Sequence, residues 1–253
     1  MANPKIGRPP GTAQYTGKQS EVSSTITLTH FGNGEVSTLP CSRLTDIPTL
    51  VEEGNKWLCI QGFNNEHFMV CASTVIGISP MMIEDITNVV SRPKSEITPD
   101  GRILACLDVF DIEENCSGES CLHQHRVSIF IKEGIVITME DDPEADSFRS
   151  IKERIVQPKS RTASGNWYRM AYVMFDLAVD SYYLALDYYE GQLLDLEIQI
   201  LSGEHDSLNE IYSISKKLTD IITDFRAIEA LPKHLIGLSN LQSEESEWIQ
   251  DLT

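Results

Sequence analysis

The chain has 253 residues, with 20 Lys and Arg against 38 Asp and Glu for a net charge of −18, and is 41% apolar and 23% charged. This is globular composition, enough for one large domain or two small ones, and not that of a disordered or fibrous chain. So acidic a balance excludes nucleic-acid binding and a polybasic grip on anionic lipid, which need clustered Lys and Arg; what it attracts is cations.

The start, MANPKIGRPPGT, has no apolar stretch of the signal-peptide kind. No apolar run reaches the roughly 18 residues of a spanning helix. The six cysteines, Cys41, Cys59, Cys71, Cys106, Cys116 and Cys121, are too few for a secreted disulfide framework. Cys59 and Cys106 lie in apolar runs and read as buried free thiols. The expectation is a soluble chain of a reducing compartment.

In chain order, Thr25–Thr29 alternates polar and apolar residues, and Lys56–Phe63 is a short apolar run bounded by Gly62 and Asn64. Both read as strands. Ser79-Pro80 supplies an N-cap and a proline for a helix over Met81–Val90. Arg102–Ile112 is a longer β-leaning run. Val127–Ile131 and Ile135–Met139 flank Lys132-Glu133-Gly134 as a hairpin. Asp142-Pro143 repeats the helix-start signal for a helix running to Arg154. Residues 1–165 are therefore expected to form an α/β domain, a mixed β-sheet flanked by helices as an α/β/α sandwich.

Residues 166–253 read as helical and hold 5 basic and 16 acidic residues, against 15 and 22 before them. Trp167–Leu201 contains no Pro and one Gly, Gly191. Gly203 ends it, and Ser207-Leu208-Asn209-Glu210 is a capping box for the next helix. There Ile211, Ile214, Leu218, Ile221, Phe225 and Ile228 form a coiled-coil seam, so the two helices should pack as a long antiparallel hairpin. Pro232 bends or ends the second helix. A third, the start of a stalk helix, opens near Ser243 and is cut off by the chain end, so further sequence is expected to follow.

Several groups carry candidate chemistry. Asp176, Asp180 and Asp187 share one stripe of the first long helix, where they repel unless a cation or solvent intervenes. Glu84-Asp85 sits late in its helix, towards the negative end of the dipole, which points to a partner cation or to an exposed pair tolerated at small cost. Arg92-Pro93-Lys94 stops that helix and positions two positive charges, and alone reads only as a helix terminator. Cys116, Cys121, His123 and His125 offer zinc-type ligands, but in an order unlike the usual finger spacings and where a polar hairpin loop is expected anyway. No G-x-S-x-G, H-E-x-x-H, P-loop or G-x-G-x-x-G is present. A metal-dependent hydrolase on the acidic stripe would lack a nucleophile and an oxyanion donor, so no enzyme is expected.

The ordered set of segments resembles the CorA family of magnesium and cobalt transporters, in its N-terminal cytoplasmic region. Pro9-Pro10-Gly11-Thr12 with Tyr15-Thr16-Gly17 is similar to that family's PPGT…YTG signature, and Trp57–Gly62 to its strand ending in Gly. Glu84-Asp85-Ile86-Thr87-Asn88 with Arg92-Pro93-Lys94 resembles EDI-x-N…RPK, the most specific match, and Asp176–Tyr182 the D-x-x-x-D-x-Y segment. Ser79-Pro80-Met81 stands where the family has His-Pro-Leu, and Ser91 where it often has Gln. The family's membrane helices and Gly-Met-Asn pore signature would fall beyond residue 253, so the chain is expected to be a soluble fragment that conducts no ions itself.

The resemblance implies a homopentamer on the cytoplasmic side of the inner membrane, with regulatory divalent-cation sites between subunits and no nucleic-acid partner. Asp85 matches the principal regulatory aspartate, and Glu84 and Asp176 match acids that help bind a second ion. Asp251 matches the partner aspartate on the neighbouring stalk helix once a shorter preceding loop is allowed for. The ion implied is Mg²⁺ or Co²⁺, with Zn²⁺ behind them. Alternatives are a ZntB-like zinc transporter domain, towards which Cys116, Cys121, His123 and His125 lean, and a free-standing zinc-binding protein using that loop.

Overall fold

The computed structural model describes residues 9–18, 21–41, 54–63, 74, 76–114, 120–132, 134–202, 208–229, 231 and 235. Among them, β1 (Thr25–Gly32), β2 (Glu35–Pro40), β3 (Asn55–Gln61), β4 (Lys94–Ile97), β5 (Ile103–Glu114), β6 (Ser120–Lys132) and β7 (Ile135–Glu140) form one sheet in the order β2-β1-β3-β7-β6-β5-β4. β3 and β7 pair in parallel, and every other neighbouring pair is antiparallel. The helices named among the described residues are α1 (Pro80–Thr87), α2 (Arg149–Ile155), α3 (Arg161–Ser164), α4 (Trp167–Ser202) and α5 (Leu208–Ile228).

Successive strand residues face opposite sides, so a strand covered on both faces must be apolar throughout. On β3, Leu58 and Ile60 pack under Met82, Ile83 and Ile86 of α1, while Trp57 and Cys59 join the core beneath α4. β5 divides likewise, with Leu104 and Cys106 towards α1 and Ala105 and Leu107 towards α4. The result is the expected mixed sheet flanked by helices. In α4, Met170, Met174, Phe175, Ala178, Tyr182 and Ala185 form the buried stripe. On α5, Ile214, Ile221 and Ile228 are buried at intervals of seven, and Phe225 sets its ring 5.5 Å from that of Tyr182. This is the seam expected of a helical hairpin.

Several boundaries differ from those expected of the sequence. The helix expected from Asp142-Pro143 begins only at Arg149. Asp142 Oδ1 does accept the Glu144 amide at 2.9 Å, but this closes only a turn. Ala145 and Phe148 then drop into the core, and Ser147 gives its amide and hydroxyl to Glu140 Oε2 at 3.1 and 2.8 Å. Helical geometry at 143–147 would break those bonds. The helix expected to reach Val90 stops at Thr87, where the Asn88 amide turns back to the Asp85 carbonyl at 3.2 Å. β6 starts at Ser120, so Cys121, His123 and His125 lie on a strand and not in a loop. β2, β4 and α3 carry no clear signal in the sequence. Gly203, Ser207, Pro232 and the helix from Ser243 lie outside the described residues.

Gly62 ends β3 at φ +84°, and a Cβ there would stand 2.7 Å from Pro143 Cβ. Its amide donates to the Glu140 carbonyl at 2.9 Å, joining the strand end to the buried Glu140. Burial pushes the Glu140 carboxyl up to about 7, against the pull of Ser147 and Lys152. A folded-state pKa above the unfolded one stabilises the fold at pH below the unfolded value, and that stability is lost as pH rises through the folded value. Between pH 4.5 and 8, Glu140→Gln should therefore gain about 3 kcal/mol relative to wild type in denaturant unfolding. A pH-independent difference would place the cost of Glu140 elsewhere.

Candidate functional site

Ser79 caps α1 by accepting the Met82 amide at 3.3 Å, with Pro80 in the first turn. The helix buries Met82, Ile83, Ile86 and Thr87 and leaves Glu84 and Asp85 half-buried at its edge. The PPGT…YTG segment lies along this helix. Gly11 donates its amide to Glu84 Oε2 at 2.6 Å, in a φ +79° turn where a Cβ would stand 3.3 Å from Pro80 Cβ. The Gln14 amide reaches Thr87 Oγ1 at 3.3 Å, and the Thr16 amide reaches the Thr87 carbonyl at 3.1 Å. Thr16 Oγ1 contacts Asn88 Oδ1 at 3.3 Å, and Tyr15 OH donates to Asp141 Oδ2 at 3.2 Å. The two most recognisable motifs of the sequence are thus one packed unit, and Glu84 is a fastener within it.

Asp85 has a different partner. Its Oδ2 pairs with Lys94 Nζ at the start of β4, with the carboxylate 23% and the ammonium 41% exposed. Arg92 lines a cleft of about 440 Å³ with Arg126 and Lys217, facing Asp108, Asp220 and Asp224. Asp108 meets Arg126 Nε at 3.1 Å and is 2% exposed; burial raises its pKa to about 6, outweighing the guanidinium. Burial likewise raises Asp224 on α5.

Asp176 sits half-buried on α4, over the other face of the sheet from α1, while Asp180 and Asp187 are exposed. One chain therefore joins Glu84 and Asp85 to the N-terminal segment and Lys94, but does not gather Asp176 with them. Asp251 and Cys116 lie outside the described residues. On β6, Cys121, His123 and His125 share a face with Asp111 and Glu113 of β5. His125 Nε2 is 3.4 Å from Asp111 Oδ1 and His123 Nε2 is 4.0 Å from Glu113 Oε2, at the wall of a cleft of about 770 Å³. Among the described residues no three His, Cys, Asp or Glu side chains are set to hold one metal ion, and no helix is long and apolar enough to cross a membrane. Lys94 as the partner of Asp85, and Asp111 and Glu113 beside the histidines, were missed in the sequence because each pairing depends on a strand end or register.

Residues 53–253 match the model of the family described as CorA-like Mg²⁺ transporter protein. The cobalt/magnesium transport protein CorA of Thermotoga maritima is 24% identical over 225 residues, which are 86% of this chain and 61% of that protein. The chain thus spans less than two thirds of that relative. The soluble domain of CorA from Methanocaldococcus jannaschii aligns over 93% of this chain and 88% of its own, at 17% identity and a TM-score of 0.60. The ZntB cytoplasmic domain from Vibrio parahaemolyticus aligns over 91% and 93%, at 13% identity and a TM-score of 0.57. At such identities the structural likeness establishes the fold alone.

The Thr87 hydroxyl donates to the Ile83 carbonyl at 2.8 Å while accepting from Gln14. Thr87→Val should leave the Gln14 amide without its acceptor, cost about 1 kcal/mol of stability, and speed hydrogen exchange at Gln14 and Thr16. Unchanged exchange there would show that the segment is held by other contacts.

Proposed function

The chain belongs to the CorA-like Mg²⁺ transporter protein family, and we propose that it is the divalent-cation-sensing cytoplasmic part of a CorA-type magnesium and cobalt transporter. In this reading Mg²⁺ or Co²⁺ binds at Asp85, with Glu84, Asp176 and Asp251 contributing from the same or a neighbouring subunit of a homopentamer. The membrane-spanning part of the transporter would follow the helical hairpin in the longer protein, and the ion would act as a gate signal, not as a catalytic cofactor.

The observation that carries this reading is the surface carboxylate of Asp85, 23% exposed, within the family-matched region. It stands on a helix with no basic residue in its last turn. Mg²⁺ takes oxygen ligands and keeps several waters, so carboxylates on two facing surfaces suit it better than a closed cage. Facing acids repel, and an ion between them favours the closed arrangement; when Mg²⁺ falls, repulsion favours opening. An ion shifts such an equilibrium only by binding one state better than the other. A second reading, binding of Zn²⁺, draws on the residue types of His123 and His125 beside Asp111 and Glu113, which would have to close together to hold one ion.

Thermal unfolding with Mg²⁺, Co²⁺ and Zn²⁺, against a chelator control, separates the two. Ligand at a hundred times its Kd adds about 2.7 kcal/mol, or roughly 5–10 °C for a chain of this size. Mg²⁺ and Co²⁺ should raise Tm in wild type and fail to do so in Asp85→Ala. Stabilisation by Zn²⁺ alone, lost in His123→Ala/His125→Ala, would replace the first reading with the second. No response to any ion would count against both.

A further inference from the structure

Resting on the proposed site at Asp85, we propose that Lys94 is a built-in competitor of the divalent ion: its ammonium occupies the Asp85 carboxylate until the ion displaces it. The pair is Lys94 Nζ to Asp85 Oδ2, joining the first residue of β4 to the edge of α1. β4 is an edge strand of the sheet, and Lys94 sits opposite Cys106 in its ladder with β5. Its backbone is therefore fixed by the ladder on one side and by Pro93 on the other, leaving the four-carbon stem as the moving part.

The exposure of the pair makes the exchange cheap. With the Lys94 side chain exposed and that of Asp85 half-buried, the pair stays in reach of solvent and is held less firmly than a buried one. Glu84 offers no equal alternative, because its Oε2 already holds the Gly11 amide at 2.6 Å. A hydrated divalent ion and an ammonium cannot share one carboxylate without repelling each other at close range. Occupation by the ion thus requires Lys94 to swing out, and the apparent affinity falls by the fraction of chains in which it has done so. The site would then respond only at high free Mg²⁺, and weakly to monovalent cations that cannot outbid the ammonium.

The test is a Mg²⁺ titration of Tm on the full 253-residue chain, comparing wild type with Lys94→Met, Lys94→Arg and Asp85→Ala. Lys94→Met should lower the Mg²⁺ concentration for half-maximal stabilisation by roughly two- to tenfold, while Lys94→Arg, which keeps the charge, stays within about twofold of wild type. If Asp85→Ala abolishes the response and Lys94→Met leaves the midpoint unchanged or raises it, the competitor is wrong and the site stands. If the response survives in Asp85→Ala, or is absent in wild type, the site fails and the competitor with it. A second measurement needs no variant: reductive methylation of Lys94, followed by mass spectrometry, should accelerate at saturating Mg²⁺. An unchanged or slower rate would overturn the exchange.

Discussion

At the middle of the sheet β3 and β7 run parallel, from Lys56 opposite Ile135 to Gln61 opposite Glu140, and join two otherwise antiparallel sets of strands. Parallel neighbours cannot be linked by a tight turn and need a crossover. Here the crossover carries α1, β4, β5 and β6, which puts α1 on one face and leaves the other to the chain after β7. Trp57 Nε1 donates to Thr138 Oγ1 at 2.9 Å across this seam, and both residues are buried. The position of Glu84 and Asp85 is therefore a consequence of how the two halves of the sheet are joined.

The two ion pairs flanking the RPK segment are built for different tasks. Asp108 and Arg126 are 2% and 10% exposed, and stripping one partner from so buried a pair costs about 3–5 kcal/mol. Asp85 and Lys94 are 23% and 41% exposed, where such a pair is worth about 1 kcal/mol or less. The first pair lines the cleft against α5 and belongs to the architecture. The second can exchange partners without disturbing the core. In a chain of net charge −18 the two roles are separated: Asp108 is tied to Arg126 inside the fold, and Asp85 stays at the surface, where the proposed exchange would take place.

What was legible in the sequence follows from burial. Strands covered on both faces must be apolar at consecutive positions, so β3 and β5 stood out as continuous runs, and the step of three and four along α5 marked its seam. β2 was invisible because it is an edge strand exposed at nearly every position. β4 was invisible because it has four residues and follows a helix-stopping proline. The start signal at Asp142-Pro143 misled because its cap bond to the Glu144 amide closes only a turn, and the bonds of Ser147 to Glu140 keep the chain from continuing as a helix. Family motifs located Glu84 and Asp85, but not that Gly11 fastens one and Lys94 neutralises the other, since those contacts span 73 residues in one case and a strand end in the other.

The sheet also limits how the proposed acids could share an ion. α1 covers one face and α4 the other, so the Glu84–Asp85 edge and Asp176 are held a full sheet thickness apart by the core itself. No rotamer change within one chain crosses that distance, and loosening the core to do so would forfeit the burial that forms the sheet. An ion held by all three must therefore take some of them from a second copy. Its binding then becomes linked to the arrangement of subunits, because the same acidic surfaces that repel in its absence are bridged in its presence. In the proposed reading, divalent-cation concentration would enter the subunit equilibrium directly, with the sheet transmitting the choice instead of deforming to absorb it.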